Sequence, residues 1–413
     1  MQAMEQLVIS REALDAFARS LHEPAWMRAQ RVNAWDAFLS LPGPSFRYGL
    51  DIALNAGNLD LHSLSVQPYV HASNPQWEEL EACHKGLIIR DLHGALTSHE
   101  DLVRAHVFSN LNVSENKLDA LHQACWNQGI FVFVPRGMVV SAPIELDFGQ
   151  INASAFHHVV CVVEEGARVV FSERAVSRPV QESSAEPVPF VRTSWAELNV
   201  HAHACVDWFS VQDLNGGAFN FASRRALAGE GAAVNFWSAE LGARVARSEV
   251  SAVLNGRGAS SKNFGVYVAR ANQQVDLDVA SVHAAPETVS NMHTRGIALD
   301  RSKAIYRGLV KMHASAVRSN GYQKSDNLLL GVGAEVDAVP YLEIDTSDVK
   351  CSHGTSVGHV DEDKLFYLMA RGISEEEAIR DMSQGFLAPV LDKAPNAQWV
   401  LGVRNRVREL VVV

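Results

Sequence analysis

The chain has 413 residues, of which 47% are hydrophobic and 20% are charged, and its formal net charge is −11. This composition is ordinary for a folded globular protein, and the length allows two or three structural units around a large core. An acidic surplus without a basic run argues against a nucleic-acid binder, because neutralised phosphates supply much of such a protein's affinity. The longest apolar runs, 159–163 and 328–333, are far shorter than the roughly 20 residues of a spanning helix, so we expect no membrane segment.

The cysteines are few and scattered along the chain. There are five of them, which is an odd number, and no CxxC pair occurs: Cys83, Cys125, Cys161, Cys205 and Cys351. Neither a disulfide framework nor a zinc knuckle is therefore indicated. The first residues carry acidic side chains and no apolar signal core. We expect a cytoplasmic protein in which most cysteines are small buried hydrophobic residues.

The first 128 residues have the apolar spacing of helices. Helices are predicted at 11–21 and 25–39, the second ending before a Pro-Gly-Pro segment. Two more are predicted at 101–109 and 115–128, with Ser114 as the N-cap of the latter.

The pattern changes at Gly129, where a buried type of strand at 130–134 is followed by a turn at 135–137. Short β-branched or aromatic runs then recur to about residue 344, at 159–163, 169–172, 235–238, 264–268, 275–279 and 328–330. Gly-Ala pairs recur between them, at 166–167, 217–218, 231–232, 242–243, 258–259 and 333–334. Glycine permits a tight corner and alanine fits between stacked coils, so a β-helix and an antiparallel sandwich remain equally open.

The C-terminal tail is predicted to be helical again. Asp361 is a plausible N-cap, Arg371 and Gly372 end the first helix, and Ser374 followed by three glutamates predicts a capping box. Ile379, Met382 and Phe386 give the second helix an apolar stripe, and Pro389 and Pro395 are expected to loosen the remainder of the tail.

Catalytic signatures for nucleotide hydrolysis, serine hydrolysis and zinc peptidases are absent from the sequence. Most of the seventeen histidines, including the pairs His157-His158 and His201/His203, are interpreted as surface or packed residues. Cys351 and His353 differ, because two residues in an extended segment share a face and both are ligands suited to iron or zinc. Two ligands make half a metal site, and a buried cysteine beside a hydrogen-bonded histidine is the simpler alternative.

The segment around these two residues carries a resemblance to a known family. The order and spacing of 328–330, 340–344, 357–358, 365–368 and 371–373 around Lys350-Cys351-Ser352-His353-Gly354 resemble the SufB/SufD family of iron–sulfur cluster assembly proteins. Residues 23–26 with Arg31 and Trp35, and residues 132–137, are similar to its SufD branch. SufB-type chains carry a cysteine where this chain has Ala334, and a Glu-His-Glu type of segment where it has Cys351–Gly354, which also favours the SufD type.

The resemblance implies a mainly β fold, with a right-handed parallel β-helix core at 129–355 between helical domains at 1–128 and 356–413. It implies a non-catalytic scaffold subunit that pairs with a SufB-like homologue and is bound by a SufC-like ATPase. The ATPase contacts would be Leu365, Phe366, Tyr367, Ile379 and Phe386. His353 and Cys351 would contribute to a transient iron site or nascent iron–sulfur cluster at the partner interface, with nothing stably bound by the chain alone.

Two other functions remain open at this point. A β-helix enzyme acting on polysaccharide would need clustered carboxylates, for which Asp276 and Asp278 are candidates, although solvated strand charges are the simpler interpretation. A homodimeric interaction module without a metal role is the second.

Overall fold

A computed structural model describes residues 7–42, 65–66, 74–109, 113–114, 116–151, 153–177 and 188–411. Helices precede and follow a long run of strands. The helices are α1 (Arg11–Ser20), α2 (Ala25–Ser40), α3 (Pro75–Cys83), α4 (Leu92–Ser98), α5 (Glu100–His106), α6 (Lys117–Cys125), α7 (Glu362–Ala370), α8 (Glu375–Leu391) and α9 (Ala397–Leu410). None of these helices is both long and apolar enough to cross a bilayer.

The strands form two large sheets, which are parallel except at β3, and one short antiparallel pair. They are β1 (Leu7–Val8), β2 (Ser65–Val66), β3 (Ile88–Asp91), β4 (Gln128–Val134), β5 (Val139–Gln150), β6 (Ala155–Val163), β7 (Arg168–Val176), β8 (Phe190–Val200), β9 (Cys205–Asp213), β10 (Ala218–Ala228), β11 (Ala233–Glu240), β12 (Val245–Leu254), β13 (Ser260–Ala269), β14 (Gln274–His283), β15 (Val289–Ala298), β16 (Lys303–Met312), β17 (Ser319–Leu329), β18 (Glu335–Ile344) and β19 (Val349–His359).

The parallel strands alternate between the two sheets along the chain. Even-numbered strands β4 to β18 pair in sequence in one sheet, and odd-numbered strands β5 to β19 pair in the other. Each even–odd pair is one coil, and eight coils stack into a β-helix. The fold is therefore mainly β, with a β-helix core and helices at both termini, and the antiparallel sandwich is excluded.

One corner of the coils repeats with a fixed backbone geometry. A residue with positive φ occupies it in seven successive coils: Gly137, Gly166, His203, Gly231, Gly258, Glu287 and Arg318. The N–H of each donates to a carbonyl of the next coil. The residue that follows is small and buried from the second coil on, as at Ala167, Ala232 and Ala259. The Gly-Ala pairs at 166–167, 231–232 and 258–259 are thus corners of stacked coils, as predicted.

The interior of the coils also holds a buried ionic cluster. Glu173 of β7 is ion-paired with Arg192 (3.1 Å) and Arg224 (2.8 Å), and it accepts a hydrogen bond from the indole of Trp208 (3.1 Å). Burial alone would raise the pKa of this carboxyl, but the two guanidinium groups lower it to about 2. The carboxylate is therefore charged and fully paired in the core, where leaving it unpaired would be strongly destabilising.

The N-terminal helices are held together by buried polar contacts. Glu23 forms a bidentate ion pair with Arg31 (2.9 and 2.7 Å), whose guanidinium lies 4.4 Å from the centre of the Trp126 ring. These contacts give Glu23 and Arg31 a structural role. The N-cap of α6 is Asn116 and not Ser114, since the Asn116 side chain accepts from two backbone N–H groups of the first turn.

The C-terminal helices follow the predicted boundaries in part. Asp361 caps α7, Gly372 has the positive φ of a helix end, and the Ser374 hydroxyl accepts from the Glu377 N–H. Pro389 does not loosen the chain, because it lies in the last turn of α8 and the helix continues to Leu391. Helix α9 was not predicted from the sequence.

Candidate functional site

The strand edges are covered at one end of the β-helix and uncovered at the other. At the first coil, β3 pairs antiparallel with β4, and side chains of α3 bond the backbone of β5. Trp77 donates to the carbonyl of Glu145 (3.1 Å) and Gln76 to that of Pro143 (2.9 Å). At the last coil, β18 and β19 are the outermost strands, and no further strand pairs with them in the described part of the chain.

The last coil is also the least buried coil. Neither β18 nor β19 contains a buried residue, whereas β16 and β17 are mostly buried. Several apolar side chains are exposed there, among them Ile344 (43%) and Val357 (45%). An exposed strand edge with apolar side chains is a template for pairing with another chain.

Cys351 and His353 both lie on β19, in the middle of this open coil. Their register partners on β17 are Gly321 and Gln323. Cys351 is half-buried and packs with Val349 against the interior cluster of the last coils, whereas His353 is exposed. Since residues two apart on a strand share a face, His353 continues the inward face but is not covered. The structure thus brings the two predicted ligands together at the open end.

The environment of Cys351 does not activate its thiol. Burial raises the pKa of the Cys351 thiol, so the thiol form dominates near neutral pH. No group of three or more histidine, cysteine or acidic side chains placed to hold a metal occurs among the described residues. His353 is therefore the more accessible ligand of the pair, and Cys351 would release its thiol proton on binding a metal.

Gln323 is a neighbour of the site that the sequence did not reveal. Its side chain is buried beside His353, and its Nε2 donates across the coil to the carbonyl of Tyr341 on β18 (3.1 Å). A Cβ at position 308 would collide with the Gln323 Oε1, so Gly308 leaves the room that this side chain needs. The signal in the sequence is a glycine inside an otherwise bulky strand.

The five predicted ATPase contacts fall into two groups. Phe366 (73% exposed) and Tyr367 (57%) project from α7, a helix that has no buried residue. Ile379 is buried in the cluster that fixes α8 and α9 to the odd sheet, and Leu365 and Phe386 are partly buried against the same cluster. Only the α7 aromatic residues of this set offer a large accessible surface, and the assignment of all five stays a prediction.

The other polar candidates have structural partners. Asp276 is ion-paired with Arg247 (2.6 Å) and with Arg307, and Asp278 lies 3.3 Å from Arg247. His157 and His158 are both buried: His157 stacks on Phe148, and His158 hydrogen-bonds His122 (3.0 Å) beneath the N-terminal helices. His201 and His203 lie in a corner and not on a strand.

Comparison with known proteins identifies the family. The profile described as "SUF system FeS cluster assembly, SufBD core domain" matches residues 148–386, more than half of the chain. The chain belongs to the SufBD family. The profile of the SufBD protein N-terminal region also matches, at residues 60–146. The family is one of iron–sulfur cluster assembly proteins.

Curated relatives agree with this membership. The chain is 29% identical to an iron–sulfur cluster assembly SufBD family protein of Staphylococcus epidermidis, over 90% of this chain and 87% of the relative. It is similar to another such protein of Staphylococcus saprophyticus, at 29% identity over 80% of this chain and 72% of the relative. It is 25% identical to the iron–sulfur cluster assembly protein SufB of Bacillus subtilis, over 94% of this chain and 90% of the relative.

Proposed function

We propose that this SufBD-family chain is a SufD-type scaffold subunit that pairs with a SufB-like subunit through its last coil. The uncapped coil β18–β19, which carries His353, supports this proposal most strongly. Its strand edges and exposed apolar side chains suit pairing with a second, similar sheet end. Ala334, which stands where SufB-type chains carry a cysteine, favours the SufD branch.

In this proposal the iron is cargo and the chain supplies part of its binding site. His353 presents an imidazole nitrogen at the rim of the coil, and Cys351 adds a sulfur ligand that loses its proton as the metal binds. Iron and zinc sites in proteins usually have four ligands, so a partner subunit would provide the remaining ones. The chain by itself would retain no cluster.

A SufC-like ATPase would bind the C-terminal helices, where Phe366 and Tyr367 give α7 an exposed aromatic surface. ATP hydrolysis would belong to that partner, because this sequence contains no phosphate-binding loop. A movement of the helices driven by hydrolysis would open the interface between the two scaffold subunits and expose Cys351 and His353 to iron.

The test is a reconstitution with a matched histidine control. His353→Ala should lower iron–sulfur cluster formation by about tenfold or more, as expected for loss of a metal ligand, while the complex still copurifies. His359→Ala removes a histidine from the same strand, six residues on, and should leave cluster formation unchanged. Unaltered cluster formation by the His353 variant would refute the proposed role, and failure of this chain to copurify with a homologue and an ATPase would refute the scaffold assignment.

A further inference from the structure

A line of polar side chains crosses the outer face of the odd sheet toward β19. Arg295 of β15 is paired in register with Asp326 of β17, and Asp326 is paired in register with Ser356 of β19. In a parallel sheet, residues paired in this way point to the same side. The three side chains therefore form one ladder that ends on the strand carrying Cys351 and His353.

Asp326 is the centre of this ladder and is almost completely buried. Its Oδ1 accepts from the Ser356 hydroxyl at 2.7 Å. Its Oδ2 lies 3.1 Å from Arg295 Nη2, 3.1 Å from Lys324 Nζ and 3.6 Å from His293 Nε2. One carboxylate thus joins β15, β17 and β19 on the outer face, through a hydrogen bond from Ser356 and through ion pairs with Arg295 and Lys324.

Arg295 connects the same carboxylate to the C-terminal helices. Its Nη1 donates to the carbonyl of Phe386 in α8, and its guanidinium lies 4.9 Å from the centre of the Phe386 ring. Helix α8 packs mainly on β15 and β13. The contacts from Phe386 through Arg295 and Asp326 to Ser356 therefore form a continuous connection from α8 to the last strand.

We propose that Asp326 is a positioning residue that couples the C-terminal helices to β19. A displacement of α8 would move Arg295 and thereby shift the Asp326 carboxylate relative to Arg295 and Lys324. The hydrogen bond from Ser356 to Asp326 would then weaken or strengthen, and β19 would become more or less mobile. This inference rests on the proposed function, because it explains how an ATPase bound at the helices would change the surroundings of Cys351 and His353. The other strand of the last coil, β18, lies in the opposite sheet and has no part in this connection.

Hydrogen–deuterium exchange of the full-length chain tests the coupling without any cluster assay. Asp326→Asn keeps the shape and an acceptor but removes the charge that holds Arg295 and Lys324. Ser356→Ala removes only the link to β19. Both should speed exchange of the β19 amides about three- to tenfold, the range that couplings of this kind span, and leave β18 within about twofold. Asp348→Asn, a charge removal at an exposed position just before β19, should change neither strand.

Phe386→Ala separates coupling from a local structural role. It should speed exchange of β19 in the native background and add nothing when Asp326 is already Asn, because the connection is then broken. Three outcomes would each overturn the proposal. The first is equal acceleration of exchange in β18 and β19, and the second is no acceleration in either the Asp326 or the Ser356 variant. The third is an undiminished effect of Phe386→Ala when residue 326 is already Asn. If Asp326→Asn does not fold, Ser356→Ala carries the same test, with Phe386→Ala then combined with it.

The reconstituted complex separates this inference from the proposed function. Ser356→Ala should leave ATP hydrolysis unchanged and lower the amount of cluster formed per ATP about three- to tenfold. A native complex that forms no cluster would refute the proposed function and leave the exchange result standing. A Ser356 variant with an unaltered yield per ATP would overturn the coupling in the complex.

Discussion

The first and last coils of this β-helix both belong to the same two sheets, but their surroundings are opposite. The first coil is closed by β3 and by side chains of α3 that bond its edge, and Trp77 packs into its core. The last coil has no buried residue and carries the candidate ligands. A parallel sheet has unsatisfied backbone groups at both edges, so an end that is closed by the chain's own residues serves stability, and an end that is left open serves a partner.

Removing a buried side chain at the closed end should lower the free energy of unfolding more than any of the other substitutions. Trp77→Ala removes a buried indole and its bond to the carbonyl of Glu145, and should lower the free energy of unfolding by about 3–5 kcal/mol. Ile344→Ala on the open coil should cost less than about 1 kcal/mol, because that side chain is already 43% exposed. Urea denaturation of the isolated chain measures both, and equal costs at the two ends would contradict the distinction.

A charge on the open end should weaken pairing with the partner without unfolding the chain. Val357→Asp places an unpaired carboxylate in the proposed interface and should weaken association with the SufB-like partner about a hundredfold, which is roughly 2.7 kcal/mol. Val139→Asp makes the same change at an exposed position of the first coil and should have no effect on association. Titration calorimetry with the partner gives both values. A large loss caused by Val139→Asp would place the interface elsewhere.

The pH dependence of stability should show that the interior next to the open coil is packed and excludes water. His283 of β14 is buried and hydrogen-bonded to Thr288 (2.7 Å) and Ser290 (2.8 Å), and burial lowers its pKa to about 4. The unfolded chain binds a proton at the ordinary value near 6.5 and the folded chain does not, so the stability is complete above 6.5 and declines as the pH falls toward 4.

From pH 7.5 to 5.5, His283 should account for about 1.4 kcal/mol of the lost stability. His283→Gln should remove that part of the pH dependence, measured by urea denaturation at the two pH values. An unchanged pH dependence in this variant would mean that water reaches the imidazole through the open end.

The sequence reveals the corners of the β-helix better than it reveals its topology. Gly-Ala pairs such as Gly231-Ala232 mark a tight corner followed by a buried small residue, which is a local requirement. Whether the next strand runs parallel or antiparallel depends on pairing between residues about 30 positions apart, and a single strand does not record it. The resemblance to the family supplied the parallel arrangement.

The placement of Cys351 and His353 on one strand was predictable because the segment from Lys350 to Gly354 is contiguous, and their role in iron binding stays a prediction. The residues that support this segment were not predictable, because they come from separate coils. Gln323 and Asp326 lie beside β19 only once the register is set, and nothing in their sequence neighbourhood distinguishes them from surface residues. In the same way, the sequence did not indicate that Glu23 and Arg31 form a buried ion pair among the N-terminal helices.

Hydrogen–deuterium exchange in the assembled complex tests most directly the central claim that the open end is the pairing surface. Deuterium uptake of this chain should be compared with and without its SufB-like partner, at β18 and β19 on one side and at β3 and β5 on the other. The open-end account predicts strong protection of 335–344 and 349–359 on binding and unchanged uptake at the first coil. Protection of β3 or β5, with no change in β18 and β19, would contradict the assignment of the open end as the pairing surface.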